Sequence, residues 1–163
     1  FLINALIAIV LTLTILENGI FVLQRNPLAV ALGAQSRAGY IVRVNPSYAA
    51  LMRLMDELPA DSYVYSLFEP RSYGLPRPTQ PDAIVSNFAH DQYIYHTSAQ
   101  IIEHWKTKGY THILVYERGL SFMLETRPDR MAPEVQKTFR ETILALKFIS
   151  QTDDKVYTIY QIP

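Results

Sequence analysis

The sequence contains no cysteine. That excludes a disulfide framework, a thiolate nucleophile and a zinc–thiolate site, and it leaves the compartment open. It also lacks net charge, because fifteen Lys and Arg offset fifteen Asp and Glu across 163 residues. A neutral chain has no overall field to draw in nucleic acid, so a general phosphate-backbone binder is excluded. Charged residues reach only 18%, against about 25% in ordinary soluble domains, while apolar residues reach 49%. General disorder does not fit that balance. Glycine is sparse: Gly19, Gly33, Gly39, Gly74, Gly109 and Gly119 stand too far apart to cradle a pyrophosphate. No GxSxG elbow presents a serine nucleophile either.

What is abundant is apolar surface at the front. Residues 1–23 read FLINALIAIVLTLTILENGIFVL, with no charge before Glu17. Twenty-three helical residues span about 35 Å, enough for a hydrocarbon core of about 30 Å. No amphipathic period is visible, which suits lipid better than a half-buried surface. The segment 1–24 therefore predicts a transmembrane helix. A secretory signal would show a basic front and a small-residue cleavage site, and neither is evident. The chain begins with Phe1 instead of Met, so it reads as a piece of a longer or processed protein. Glu17 either rests near the membrane interface or faces other helices. Arg25, Arg37 and Arg43 follow the helix, and the positive-inside rule alone would place them in the cytoplasm.

After a connector at 25–45, residues 46–163 read as one soluble α/β domain. Asn45 caps a helix that opens with Pro46, and Tyr48, Leu51, Met52, Met55 and Leu58 share one face. Ser62–Phe68 predicts a strand, and Glu69–Asp82, with four prolines, an extended loop. Ala83–Phe88 predicts a short edge strand. Thr97 and Gln100 form a capping box for a helix at Ser98–Lys108, with Ile101, Ile102 and Trp105 buried and Gly109 terminating it. Thr111–Tyr116 predicts a central strand parallel to the first. Helices at Glu117–Thr126 and Pro133–Leu146 follow. Phe148–Thr152 and Val156–Ile162 then form a hairpin around Asp153-Asp154-Lys155. The expected fold is a small three-layer α/β (Rossmann-like) domain with a mixed sheet ending in a β-hairpin.

The best local candidate for binding is the loop Glu69–Asp82, because it follows the carboxyl end of a central strand, where open α/β sheets place ligand crevices. It offers Glu69, Arg71, Tyr73 and Arg77. Arg forks onto phosphate or carboxylate, and Tyr presents a flat face to a sugar ring. The alternative is a rigid loop that docks the domain against its membrane part. His90, Asp91 and His96 could meet around a metal, although no spacing holds them on one helical face. The other reading makes them ordinary packed or partly buried side chains, and His104 and His112 structural. Tyr40 and Tyr48 sit near the membrane exit and suit interfacial anchoring.

The apolar helix is followed by NPLAVALG, then SRAGYIVRVNPSYAALMRLMDELPADSYVYSLFEPRSYGLP, and later HWKTKGYTHILVY. This arrangement resembles the C-terminal end of bacterial polytopic glycosyltransferases of the GT-C type, the relatives of dolichyl-phosphate-mannose protein mannosyltransferases and of the lipid A aminoarabinose transferase. The resemblance implies an extracytoplasmic α/β tail on an inner or plasma membrane, after the last of several membrane helices. It implies transfer of a sugar from a polyprenyl-phosphate donor to a glycan or lipid-linked acceptor, with a divalent metal in the catalytic portion and no cofactor in this fragment. The family's catalytic acids lie in an early loop that no residue here matches, so no catalytic residue is carried over. The expected partners are membrane lipid and the remaining transmembrane helices. Two rival readings stand beside it: a singly anchored α/β binding or interaction module without catalytic activity, and a metal enzyme built on His90, Asp91 and His96.

Overall fold

A computed structural model describes residues 2–163, with the side chain of Leu2 outside the description. The chain divides into two compact units, one through Ala49 and one from Ala50.

The first unit opens with α1, Leu2–Arg25. Within its Ile3–Arg25 stretch an 18-residue window reaches a mean hydropathy of 2.3, and none of that window is buried. The helix is long and apolar enough to cross a membrane. The few polar side chains fold back on the helix: Thr12 and Thr14 donate to the carbonyls of Ala8 and Val10, and Asn18 donates to that of Thr14. Such back-bonding removes the cost of placing those groups in hydrocarbon. A single turn of helix, α2 (Leu28–Ala31), and α3 (Arg37–Val44) complete the connector. Ser36 caps α3 by accepting the Gly39 amide.

Helix α4 (Pro46–Asp56) is capped by Asn45 Oδ1, which accepts the Tyr48 amide. Of its predicted face, Tyr48, Leu51, Met55 and Leu58 are buried and Met52 is half-buried.

The second unit carries a five-stranded sheet. Its strands are β1 (Val64–Leu67), β2 (Thr79–Gln80), β3 (His112–Tyr116), β4 (Lys147–Gln151) and β5 (Tyr157–Gln161). The spatial order is β2-β1-β3-β5-β4. β1 is parallel to both β2 and β3, with Val64 opposite His112 and Leu67 opposite Val115. β5 is antiparallel to β3, with Leu114 opposite Ile159, and the β4–β5 hairpin closes the far edge. The expected α/β fold with a mixed sheet and a terminal hairpin is therefore present. β3 reads HILVY because it is central: residues 112–115 are buried, so its apolar run is continuous instead of alternating.

The remaining helices are α5 (Asn87–Tyr95), α6 (Ser98–Thr107), α7 (Glu117–Thr126) and α8 (Pro133–Ala145). One sheet face, with Tyr65, Leu67, Ile113 and Val115, joins Phe88, Ile101, Trp105, Val135 and Phe139 in one core. Fully burying side chains of this size contributes roughly 1.5–3 kcal/mol each. On the other face Val64, Ser66, Leu114 and Ile159 are fully buried. The stripe of Leu51, Leu54, Met55 and Leu58 is buried as well.

Two readings of the sequence are corrected. Residues 83–88 form no strand: they make a turn that runs into α5. The edge strand is β2, inside the proline-rich loop, where the Val64 amide reaches the Pro78 carbonyl.

Candidate functional site

The carboxyl ends of β1 and β3 are where a parallel α/β sheet opens a crevice. Here they hold a dense polar arrangement. Glu69 is completely buried and lies two residues beyond β1. Its Oε1 accepts the Arg71 amide at 2.9 Å and Arg71 Nε at 2.7 Å, while Oε2 accepts Arg71 Nη2 and the Tyr157 hydroxyl, each at 2.7 Å. Arg71 Nη2 also donates to Tyr157 Oη at 2.9 Å, and its guanidinium lies over the Tyr116 ring, 5.5 Å from the centroid. Tyr116 in turn stacks on Tyr157. A forked Arg–carboxylate pair is among the strongest side-chain bonds a protein makes. The bond to Glu69 raises the Arg71 pKa, and burial followed by the Glu69 bond raises that of Tyr157.

A second carboxylate organises the same edge. Asp82 is fully buried, its Oδ2 accepting the Phe68 amide and its Oδ1 the Ser86 and Asn87 amides. It thus covers the amino end of α5, the position at which helices receive anions. Burial pushes its pKa up, against the pull of those three amides. Phe68 and Val85 both adopt left-handed backbone, at φ 65° and 55°. Asp82 clamps both, one through the Phe68 amide and the other through its own carbonyl, which accepts the Val85 amide. Bulky side chains in that region are strained by roughly 1–3 kcal/mol and persist only where neighbours enforce them.

Gly119, in the first turn of α7, completes the edge. A Cβ there would stand 2.5 Å from the Phe68 carbonyl oxygen, 2.7 Å from Tyr116 Cδ1 and 2.9 Å from Phe68 Cβ. Only glycine permits so close an approach.

The four loop residues do not converge. Glu69 and Arg71 meet each other. Arg77 turns the other way: it donates to the carbonyls of Asp56, Leu58 and Pro59 and faces the Asp56 carboxylate at 3.7 Å. It closes the carboxyl end of α4, where unpaired carbonyls and the helix dipole favour a cation. Tyr73 is 62% exposed on the loop surface.

No family model, no curated protein and no solved structure matches this chain.

His90, Asp91 and His96 do not converge as a set of three either. Asp91 faces inward, accepting Trp105 Nε1 at 2.9 Å and the Tyr65 hydroxyl at 3.2 Å. Burial pushes its pKa up, and burial with the Asp91 charge pushes that of Tyr65 up. The His90 side chain is exposed, with Nδ1 3.9 Å from Asp91 Oδ1, and His96 ends α5 at φ 61°. No three metal-binding side chains come together among the described residues. His104 stacks on Tyr95, and His112 is buried with Nδ1 2.8 Å from Thr111 Oγ1, its pKa lowered by burial.

The structural residues that the sequence reading missed are Asp82, Gly119 and Tyr157. Asp82 had a signal: an Asp four residues before Ser-Asn at a helix start can reach the first free amides. Tyr157 had none, because its contact with Glu69 spans 88 positions.

Two of the shallow openings among the described residues lie elsewhere on the second unit. One of about 330 Å³ is at the amino end of β3, lined by Lys106, Tyr110, Gln161 and Pro163 among others. Burial pushes Tyr110 up to about 12 there. The other, about 220 Å³, lies along Arg53 and Glu57 of the α4 side and Gln151 and Asp153 of the hairpin. The second is below the roughly 300 Å³ at which ligand pockets begin.

Proposed function

We propose that this chain is the closing membrane helix and soluble tail of a polytopic GT-C type glycosyltransferase that uses a polyprenyl-phosphate sugar donor. The tail shapes acceptor access or braces the membrane part, on the extracytoplasmic side, and the transfer chemistry belongs to other portions of the protein. The observation that carries the bracing role is the state of the carboxylates at the sheet's carboxyl edge. Sugar transfer needs an acid or base that can reach a substrate proton. Glu69, Asp82 and Asp91 are all buried and hold internal donors instead. Their geometry supports a rigid edge, with Arg71 as its outermost charged member.

The test is sugar transfer in membranes containing the full-length protein. Arg71→Ala is expected to raise the acceptor KM severalfold, leaving the donor KM unchanged and the tail folded. Unchanged kinetics would reduce the loop to packing. Reading the coding sequence upstream tests the family assignment: further hydrophobic spans and an early acidic loop are expected, and an immediate start codon would refute it. In that event a singly anchored interaction module is the reading that survives.

A further inference from the structure

The connector between the apolar helix and the α/β domain carries an observation that the proposed function does not use. From Asn18 through Met55 the sequence has four arginines and not one Asp or Glu. Three of them, Arg25, Arg37 and Arg43, lie in the first unit and are exposed. The structure draws two together. Arg43 Nη2 donates to the Arg25 carbonyl at 2.7 Å and to Gln35 Oε1 at 3.2 Å, and Arg25 Nη1 donates to the Val44 carbonyl at 3.3 Å. These acceptors are neutral, so they orient the guanidiniums without cancelling their charge. Each guanidinium also lies beside a ring, Arg25 by Phe21 and Arg43 by Tyr40, as is common where a chain leaves a bilayer. The same short stretch exposes apolar side chains: Leu28 is 59% exposed, Leu32 81% and Val42 49%. All this follows directly on a helix long and apolar enough to span a membrane.

We infer that residues 25–44 form a lipid-binding platform that lies in the headgroup layer and holds anionic phospholipids. Leu28, Leu32 and Val42 enter the acyl boundary, and Arg25, Arg37 and Arg43 receive the headgroup phosphates. Continuity with α1 fixes the depth of the segment, and the lack of any carboxylate fixes the sign of its partner. A basic residue near an anionic leaflet favours binding by about fivefold, so three together favour an anionic over a neutral surface by on the order of 100-fold. The inference requires only that α1 inserts in a bilayer, and it holds whether or not the tail belongs to a glycosyltransferase.

The absence of native cysteine makes the experiment direct. The full chain carrying Leu32→Cys, labelled with an environment-sensitive fluorophore, is reconstituted into phosphatidylcholine vesicles with or without about one-third phosphatidylglycerol. In the anionic vesicles the emission is expected to shift to the blue and acrylamide quenching to fall about twofold or more. Raising salt to about 1 M should reverse both, because the screening length drops to roughly 3 Å. The triple variant Arg25→Gln, Arg37→Gln, Arg43→Gln should respond alike in the two lipids. Equal behaviour of the unmodified arginine set in both vesicles would overturn the inference. So would inorganic phosphate reversing the effect beyond sodium chloride of equal ionic strength, which would indicate a free-anion site. A matching change for a label at Leu144→Cys, on the α/β domain, would overturn it by assigning the lipid effect to the whole domain.

Discussion

Replacing Gly119 by alanine sets two physical effects against each other. Helix propensity favours alanine by about 1 kcal/mol, and Gly119 lies within α7. Sterics oppose it. The added methyl would meet three atoms inside 3.0 Å, and two of them belong to Phe68. Tyr116 can swing its ring, but Phe68 cannot retreat. Its amide is held by Asp82, its side chain is 1% exposed, and its φ is already positive. Overpacking of this kind costs about 1–3 kcal/mol or more, and contacts with pinned atoms place it at the upper end. The net expectation is a loss of about 2 kcal/mol after the propensity gain. Trp105 is the single tryptophan and is fully buried, so its fluorescence reports unfolding of the α/β domain in urea while α1 stays in a detergent micelle. With a slope of about 1–3 kcal/mol per molar urea, the midpoint should fall by roughly 1 M at unchanged slope. Gly109→Ala is the comparison, since φ is +82° there and nothing lies within 4 Å of the new methyl. It isolates backbone strain from crowding. A Gly119→Ala protein as stable as the parent would show that the α7–β1 approach is not constrained as described.

Two further outcomes follow from one buried and one half-buried charge. Asp91→Asn should leave stability at pH 7 within about 1 kcal/mol, because the side-chain oxygen still accepts from Trp105 and Tyr65. Burial raises the folded pKa of Asp91 above its unfolded value, so the native state binds the extra proton first and the parent gains stability as pH falls through that window. Asp82 contributes with the same sign, so the variant should reduce the slope of urea midpoint against pH without removing it, and an unchanged slope would contradict the assignment. Arg77→Ala should cost about 2 kcal/mol by leaving the α4 carbonyls short of their charged donor, with Arg77→Lys recovering less than half, since one ammonium cannot span three carbonyls. The urea midpoints of both variants measure this.

Elements with strong local rules were legible in the sequence. Asn45-Pro46 marked the start of α4, and Thr97 caps α6 by accepting the Gln100 amide as expected. The apolar run of β3 placed it at the sheet centre, and Asp153-Asp154-Lys155 marked the hairpin turn. Helix α5 was missed because its face carries no apolar period: the inward positions are Phe88 and Asp91, and a buried carboxylate reads as surface. The same error hid the carboxyl edge. Glu69 and Arg71 were visible as charges on a loop, but whether they face a ligand or each other depends on Tyr157, brought in by the last strand. Arg77 looked like a ligand-binding cation because sequence spacing does not reveal that the carboxyl end of α4 lies beside it.

The outer strand of the hairpin has a consequence for how copies of this chain can meet. β4 forms the free border of the sheet and exposes Phe148 at 58% and Ile149 at 36%. A flat apolar border would invite identical molecules to stack strand on strand. The register slips between Phe148 and Ser150, which bends the border, and Lys147 opens the strand with a charge. Irregularity at that one place protects neighbouring copies from fusing into a continuous ribbon.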